Sequence, residues 1–176
     1  MMEFFDTVMS RRTTRSFEAR QIEDKDLDAL LLAAHMAPIA GANYAMTHMT
    51  VVQDTGLLEE IRFDCGAKPK GQEKYIDSFY GAPTIIFFSA NGVSSDYIEY
   101  SNIGCAIENI LLAATSLGLG SAYIWGCLKK LRKHPETIEK LQLPDGYEIL
   151  SAVAVGYPIE PLSQRNPADK ISVNRI

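Results

Sequence analysis

The stretch that decides the fold is Ala106-Ile-Glu-Asn-Ile-Leu-Leu-Ala-Ala-Thr-Ser-Leu-Gly-Leu-Gly-Ser121, followed by Ala122-Tyr-Ile-Trp125. Apolar residues recur at helical spacing here, which predicts a long helix from about Ser95 to Leu117. Gly118 is typical of a helix end in left-handed conformation, and residues 122–125 are predicted to form a short strand. A dinucleotide-binding glycine motif is excluded, because it requires the opposite order, a strand before a helix.

Helices and strands alternate irregularly on either side of this stretch. Helices are predicted before Arg11, from about Asp24 to just before Pro38, over Leu57–Phe63, and over Leu128–Leu141 with a break near Pro135. Strands are predicted over Met49–Gln53, Thr84–Ala90 and Ile149–Val155. Two helices precede the first strand, which argues against a regular doubly wound nucleotide fold. The pattern predicts three α/β/α layers, with helices on both faces of a central sheet. A tail of about twenty residues follows.

The composition is that of an ordinary globular protein with an acidic balance. The chain has 176 residues with 17 Lys+Arg and 22 Asp+Glu, and its formal net charge is −5. This length fits one domain over residues 1–176. The acidic balance argues against a nucleic-acid partner, because nucleic-acid binding needs a basic face that displaces counterions.

Neither a membrane segment nor a metal site is expected from the sequence. The longest apolar stretch, Ile103–Leu117, is too short to span a bilayer, and the N-terminus lacks the basic region of a signal peptide. The cysteines Cys65, Cys105 and Cys127 follow no metal-ligand spacing. Reduced thiols are typical of a cytoplasmic protein, which is the predicted location.

The most informative polar feature is a concentration of arginines after the first helix. Half of the arginines fall within ten residues, at Arg11, Arg12, Arg15 and Arg20. Guanidinium forks bind phosphate oxygens in bidentate fashion, so the cluster indicates a small anionic ligand. No recognisable acid–base set accompanies it, which is typical of enzymes whose cofactor carries the chemistry. A hydrolase with a Ser or Cys nucleophile stays open, because its partners need only meet in space.

Four segments and a short ending form a pattern that none of them carries alone. They are Ser10-Arg-Arg-Thr-Thr-Arg-Ser-Phe17, then Ala37-Pro-Ile-Ala-Gly-Ala-Asn43 with His48-Met-Thr-Val-Val-Gln-Asp54, Gly81-Ala-Pro-Thr-Ile-Ile-Phe-Phe88, the stretch 106–121, and Val155-Gly-Tyr-Pro158. In this order they resemble the nitroreductase family of FMN-dependent oxidoreductases. The resemblance implies an α+β fold with a mixed, mostly antiparallel central sheet, flanking helices and an extended C-terminal tail.

The resemblance also implies an FMN site within the chain. It assigns Arg11, Arg12 and Thr13 to the phosphate and ribityl chain, and Arg15 to a nearby cationic role. The segment along the flavin ring is Tyr123, Ile124, Trp125 and Gly126, and a backbone N–H of Trp125 or Gly126 faces flavin N5. A second cation is Arg165, with Lys170 as the alternative. From the residues alone, Trp125 is equally an ordinary core residue.

A second copy of the chain completes the implied site. The resemblance assigns Pro38, Ile39, Ala40 and Asn43 to the partner subunit of a homodimer with FMN at its interface. Here the sequence departs from the family pattern, because the loop is one residue longer and Tyr44-Ala-Met-Thr47 replaces a Gln-Pro-Trp stretch. The register of residues 41–47 therefore stays open. The proline-rich tail is expected to pack on the partner.

The implied function is that of an FMN-dependent oxidoreductase. NAD(P)H reduces the flavin, and a small electron-poor acceptor, such as a nitroaromatic, quinone or activated alkene, is then reduced. The acceptor itself and the choice between NADH and NADPH are not predicted. The alternative is a protein of the same fold that binds flavin without turnover.

Overall fold

The long helix and the strand after it form as the sequence predicts. The structure, a computed structural model, describes residues 2–67, 76–165 and 171–176. Helix α4 spans Ile98–Ser116, and β3 spans Gly120–Ile124. Between them Gly118 has φ +77°, the left-handed conformation that glycine adopts without steric cost.

The other elements also follow the predicted order. The helices are α1 (Phe4–Ser10), α2 (Asp24–His35), α3 (Thr55–Cys65), α5 (Leu128–Leu131) and α6 (Pro135–Lys140). The strands are β1 (Thr47–Val52), β2 (Thr84–Asn91) and β4 (Tyr147–Gly156). Pro135 is the first residue of α6, where its missing N–H costs no hydrogen bond. The predicted break between α5 and α6 is therefore confirmed.

The four strands form one antiparallel sheet in the order β1-β2-β4-β3. The predicted α+β class is confirmed. In the part of the chain that is described, the parallel component is a single isolated bridge, between Thr13 and Ser121. Strand β3 lies at an edge, so its outer side is available to this N-terminal segment.

Helices cover both faces of the sheet, because successive strand residues point to opposite faces. Ile85 and Phe87 pack in a cluster with residues of α3 and α5. Ile86 and Phe88 pack in a second cluster with residues of α2 and α4. The predicted three-layer arrangement is confirmed, and it places α4 beside the edge strand β3.

The chain after β4 runs back along the N-terminal segment. Pro158 bridges Phe17, and the Arg165 N–H donates to the Met9 carbonyl at 2.9 Å. Up to residue 165 the tail therefore packs on its own chain, which differs from the expectation that it lies on a partner. Residues 171–176 are exposed.

Two further expectations concern the rest of the chain. The sequence also predicts a surface loop over the polar stretch Gly66–Lys74. Most of this stretch lies outside the described residues, as does Lys170; Ala67 near its start forms a bridge with Ile76. No helix in the described ranges is long and apolar enough to cross a membrane.

Candidate functional site

The arginine loop, Arg11–Ser16, lies across the edge strand β3. The Thr14 N–H donates to the Ser121 carbonyl at 2.9 Å, and Thr13 forms the parallel bridge with the same residue. This approach depends on Gly120, because a Cβ there would lie 2.7 Å from Thr14 Oγ1 and 2.8 Å from its Cγ2. Gly120 therefore allows the arginine loop to approach the strand.

Contacts to α4 and to the tail hold two of the arginines. The Arg11 Nε lies 3.8 Å from Glu108 Oε1, and the Arg11 side chain is 21% exposed. The Arg12 Nη1 donates to Ser163 Oγ at 2.9 Å. Arg15 is exposed.

A polar pocket of about 270 Å³ lies between the arginine loop and the tail. Its lining includes Arg12, Thr13, Arg15 and Glu160. The structure therefore brings together three of the predicted phosphate-binding residues, with Arg11 adjacent in the chain. The backbone contact of Arg165 to Met9 anchors this second predicted cation beside the end of α1.

Arg20 does not belong to this pocket. Its Nε is 2.6 Å from Glu18 Oε2, and its guanidinium carbon lies 3.4 Å from the centroid of the Tyr157 ring. The clustered arginines of the sequence thus separate into three that lie in the loop and one that is paired elsewhere.

Two buried hydroxyl groups lie where the arginine loop meets β3. Neither Thr14 Oγ1 nor Ser121 Oγ has a hydrogen-bond partner among the residues that the structure describes. Buried polar side chains are normally satisfied, and an orphaned one calls for an explanation such as a water or an ion. Hydrogen-bonding capacity is therefore left over at the contact between the arginine loop and β3, and Thr14 also lines the polar pocket.

Aromatic residues lie further along strand β3, beyond the contact with the arginine loop. Tyr100, Tyr123 and Trp125 line an open pocket of about 500 Å³, hereafter the aromatic pocket. Tyr123 is 45% exposed and Trp125 is 57% exposed. The alternative that Trp125 is a core residue is therefore wrong. The sequence analysis missed Tyr100, which comes from the first turn of α4.

The remaining residues of the predicted ring-binding segment differ in position. The Ile124 side chain is buried in the cluster beneath α3 and α5, so only its backbone is available to a ligand. Gly126 is exposed in the turn after β3. Polar and aromatic parts of the site thus lie at the two ends of one edge strand.

The loop Pro38–Asn43, here called the 38–43 loop, lies against a different part of α4. The Ala40 N–H donates to Asn102 Oδ1 at 3.0 Å. Pro38, Ala40 and Asn43 are exposed, whereas Ile39 is partly buried. In the described ranges, no hydrogen bond or ion pair links this loop to the arginine loop. A single chain therefore does not hold the two loops together through such contacts.

Two thiols, Cys65 and Cys127, lie in or against the same buried cluster as the Ile124 side chain. A hydrogen bond from Cys65 to the Cys127 sulfur lowers the pKa of the Cys127 thiol, to which Ser78 and Lys130 also contribute. The same interaction, with burial, raises the pKa of Cys65. No group of His, Cys, Asp or Glu able to hold a metal occurs among the residues that the structure describes.

The family model of the nitroreductase family matches residues 8–157, which is most of the chain. The chain belongs to the nitroreductase family. It is 31% identical to a putative NADH dehydrogenase/NAD(P)H nitroreductase of Archaeoglobus fulgidus, over 100% of this chain and 97% of that protein. It is 26% identical to an FMN reductase [NAD(P)H] of Bacillus subtilis, over 99% of this chain and 73% of that protein.

Solved structures of nitroreductases share the fold. A nitroreductase with bound FMN from Bacteroides fragilis superimposes with a TM-score of 0.79 at 28% identity, over 99% of this chain and 100% of that one. The recognition of the family from short ordered segments is therefore confirmed.

Proposed function

We propose that this nitroreductase is an FMN-dependent NAD(P)H oxidoreductase that reduces a small, planar, electron-poor acceptor. The observation that carries the proposal is the arrangement along β3. A polar pocket with arginines lies at one end, and exposed Tyr123 and Trp125 lie at the other. FMN has the matching chemistry, a phosphate at one end and a flat ring at the other.

The residues of this structure fit FMN. Arg12 and Arg15 supply guanidinium donors, which bind phosphate oxygens in bidentate fashion. Thr14, whose hydroxyl has no hydrogen-bond partner among the described residues, lines the same pocket, and the exposed aromatic rings offer an apolar surface for a flat ring. When bound, FMN supplies the redox chemistry by accepting hydride from NAD(P)H and passing reducing equivalents to the acceptor.

The chain's own residues bind FMN and orient it. Arg11, Arg12, Thr13 and Arg15 hold the phosphate and the ribityl chain, and Arg165 or Lys170 adds a second cation. The backbone N–H of Trp125 or Gly126 donates a hydrogen bond toward flavin N5. Cationic groups near a developing negative charge stabilise it without reorganisation. No side chain has to act as a base for the reductive step.

A second copy of the chain completes the site in this proposal. Pro38, Ile39, Ala40 and Asn43 of one copy would contact the flavin that is held by the other. The exposure of the 38–43 loop supports this arrangement, as do the exposed aromatic residues Phe4 and Phe5 of α1, which are 65% and 76% accessible. Large exposed apolar side chains mark interaction surfaces when they are contiguous.

We further propose one domain over residues 1–176, acting in the cytoplasm. The three cysteines are free thiols, which suits a reducing compartment. Apolar Ile171 and Val173 of the tail are exposed and would pack on the second copy.

Anaerobic reduction of the purified protein tests the function. The protein should be yellow, and NADH or NADPH should bleach its visible absorbance, which a nitroaromatic or quinone should then restore. A protein that takes up no FMN contradicts the proposal. A yellow protein that neither nucleotide bleaches is instead the flavin-binding protein without turnover.

A further inference from the structure

Cys65 and Cys127 form a pair of thiols that the proposed function does not use. Cys65 is the last residue of α3 and is fully buried. Cys127 lies in the turn between β3 and α5, where it packs against the same buried cluster. The Cys65 thiol is a hydrogen-bond partner of the Cys127 sulfur. The fold therefore brings two sulfur atoms that are distant in the sequence into direct contact.

A cation and a hydroxyl group lie at this thiol pair. Lys130 Nζ donates to the Gly66 carbonyl at 2.6 Å, so its ammonium group lies beside the residue that follows Cys65. Ser78 Oγ donates to the Cys65 carbonyl at 3.3 Å and is also a hydrogen-bond partner of the Cys127 sulfur. With Cys65 as the largest cause, these groups lower the pKa of Cys127. Because the thiolate is the nucleophilic form of cysteine, Cys127 is the nucleophile of the pair.

Cys65 has the opposite character. Its contact with Cys127 and its burial raise the pKa of the Cys65 thiol, to which the adjacent Asp64 also contributes. The Asp64 side chain is itself held in place, because it accepts a hydrogen bond from Thr137 Oγ1 at 2.6 Å and lies 3.4 Å from His134 Nδ1. Cys65 therefore stays protonated beside a partly exposed Cys127. A partly exposed thiol of lowered pKa next to a second cysteine is typical of redox-reactive sites.

We propose that Cys127 and Cys65 form a dithiol site that reacts with hydrogen peroxide. The Cys127 thiolate attacks one peroxide oxygen, the O–O bond breaks, and hydroxide leaves while Cys127 becomes a sulfenic acid. The Cys65 sulfur then attacks the Cys127 sulfur, and the Cys65 proton leaves with the sulfenic hydroxyl as water. A disulfide remains, so the two thiols have lost the two electrons that the peroxide gained. A dithiol reductant reverses the oxidation by thiol–disulfide exchange.

The contact between the two thiols favours the second step after the first. Conversion of the Cys127 thiolate into a neutral sulfenic acid removes the negative charge that faces Cys65, and that charge contributes to the raised pKa of Cys65. Cys65 then ionises more readily. Its burial is no obstacle, because Cys65 reacts with Cys127 and not with the peroxide. The peroxide approaches Cys127 from the side of the exposed Gly126.

Oxidation of purified Cys105→Ser protein tests the proposal, since this substitution removes the exposed third thiol. The protein is kept without NADH or NADPH, so that bound flavin neither supplies nor consumes electrons, and is treated with equimolar hydrogen peroxide. Both remaining thiols should be lost together, and peptide mapping without reductant should show Cys65 joined to Cys127 within one chain. Dithiothreitol should restore both thiols. The same protein unfolded in urea should form this disulfide more slowly, because the contact that activates Cys127 is lost.

Two variants separate the roles of the two thiols in the same background. Cys65→Ala should stop the oxidation at the Cys127 sulfenic acid, which dimedone traps, and Cys127→Ser should leave Cys65 unoxidised. Thiols that persist in the folded Cys105→Ser protein, or a Cys127 sulfinic acid beside a reduced Cys65, overturn the proposal. Should a circular dichroism melt show that Cys65→Ala does not fold, Cys127→Ser decides the roles, because oxidation of Cys65 without Cys127 also overturns the proposal.

Discussion

The arginine loop and the 38–43 loop both lie against α4, but their contacts differ in kind. The arginine loop is tied to three other parts of its own chain: to β3 through Thr14, to α4 through Arg11 and to the tail through Arg12. Among the described residues, the 38–43 loop makes one such contact, from Ala40 to Asn102, and it otherwise forms one short 3-10 turn over Ala40–Ala42.

Under the proposed function, the difference separates the part of the site that one chain builds alone from the part that a second copy supplies. The arginine loop already lines the polar pocket, together with residues of the tail from the same chain. The 38–43 loop has exposed side chains and a strained backbone, since Ala42 has φ +52° and left-handed conformation is costly outside glycine. We interpret it as a surface that a second copy uses.

The largest expected effect comes from removing two arginines of the loop. Arg11→Ala with Arg12→Ala should lower FMN affinity by roughly a hundredfold or more, because each lost charged hydrogen bond is worth about 1.5–3 kcal/mol. Flavin content after gel filtration and a binding titration measure the change. A circular dichroism melt checks that the fold survives.

Arg20→Ala is the matched control for this experiment. Arg20 lies in the same ten residues but pairs with Glu18 and stacks on Tyr157, so its removal should leave FMN retention near that of the wild type. Wild-type retention in the double variant, or an equal loss in Arg20→Ala, would contradict the assignment of the phosphate site.

A smaller effect is expected where the arginine loop crosses β3. Gly120→Ala should cost about 1–3 kcal/mol of unfolding free energy through overpacking against Thr14, and should also weaken FMN binding. Adding Thr14→Ala removes the two closest atoms and should restore part of both. Gly104→Ala, where no described atom beyond the chain neighbours and the helix's own backbone lies within 4 Å of the new Cβ, should leave stability unchanged or slightly raised. Equal effects of the two glycine substitutions would show that the loop does not depend on this approach.

Local sequence patterns predicted most of the fold. The α4 helix, the Gly118 turn and the two helices around Pro135 were predicted within a few residues, because periodicity and glycine or proline chemistry act over short distances. The arginines were also found, because their concentration is visible in the sequence.

Contacts between distant residues could not be predicted in the same way. Arg12 and Arg20 look equivalent in the sequence, yet one meets Ser163 and the other Tyr157. Tyr100 reaches the aromatic pocket only because α4 packs beside β3. The packing of the tail on its own chain also depends on such distant contacts.

The smallest expected effect is on the pH dependence of the reactivity of Cys127, in the turn after β3. The Cys127 pKa is lowered by its hydrogen bond with Cys65, so Cys127 keeps its reactive thiolate to lower pH than the same thiol in the unfolded chain. In Cys105→Ser protein, the midpoint of the pH profile for Cys127 alkylation should lie below that of the unfolded chain. Buried Cys65 should react only on unfolding. A midpoint at or above the unfolded value would contradict the pairing of the two thiols.

Subunit complementation tests most directly whether the two loops meet in one site across two chains. Arg11→Ala/Arg12→Ala chains and Ala40→Glu chains, each expected to lose FMN alone, are co-expressed with different tags and the mixed dimer is isolated. If each site takes the arginine loop from one chain and the 38–43 loop from the other, one of its two sites has no substitution. We predict that the mixed dimer regains half of the wild-type flavin content. No flavin in the mixed dimer, or a wild-type protein that is monomeric when loaded with FMN, would contradict the account.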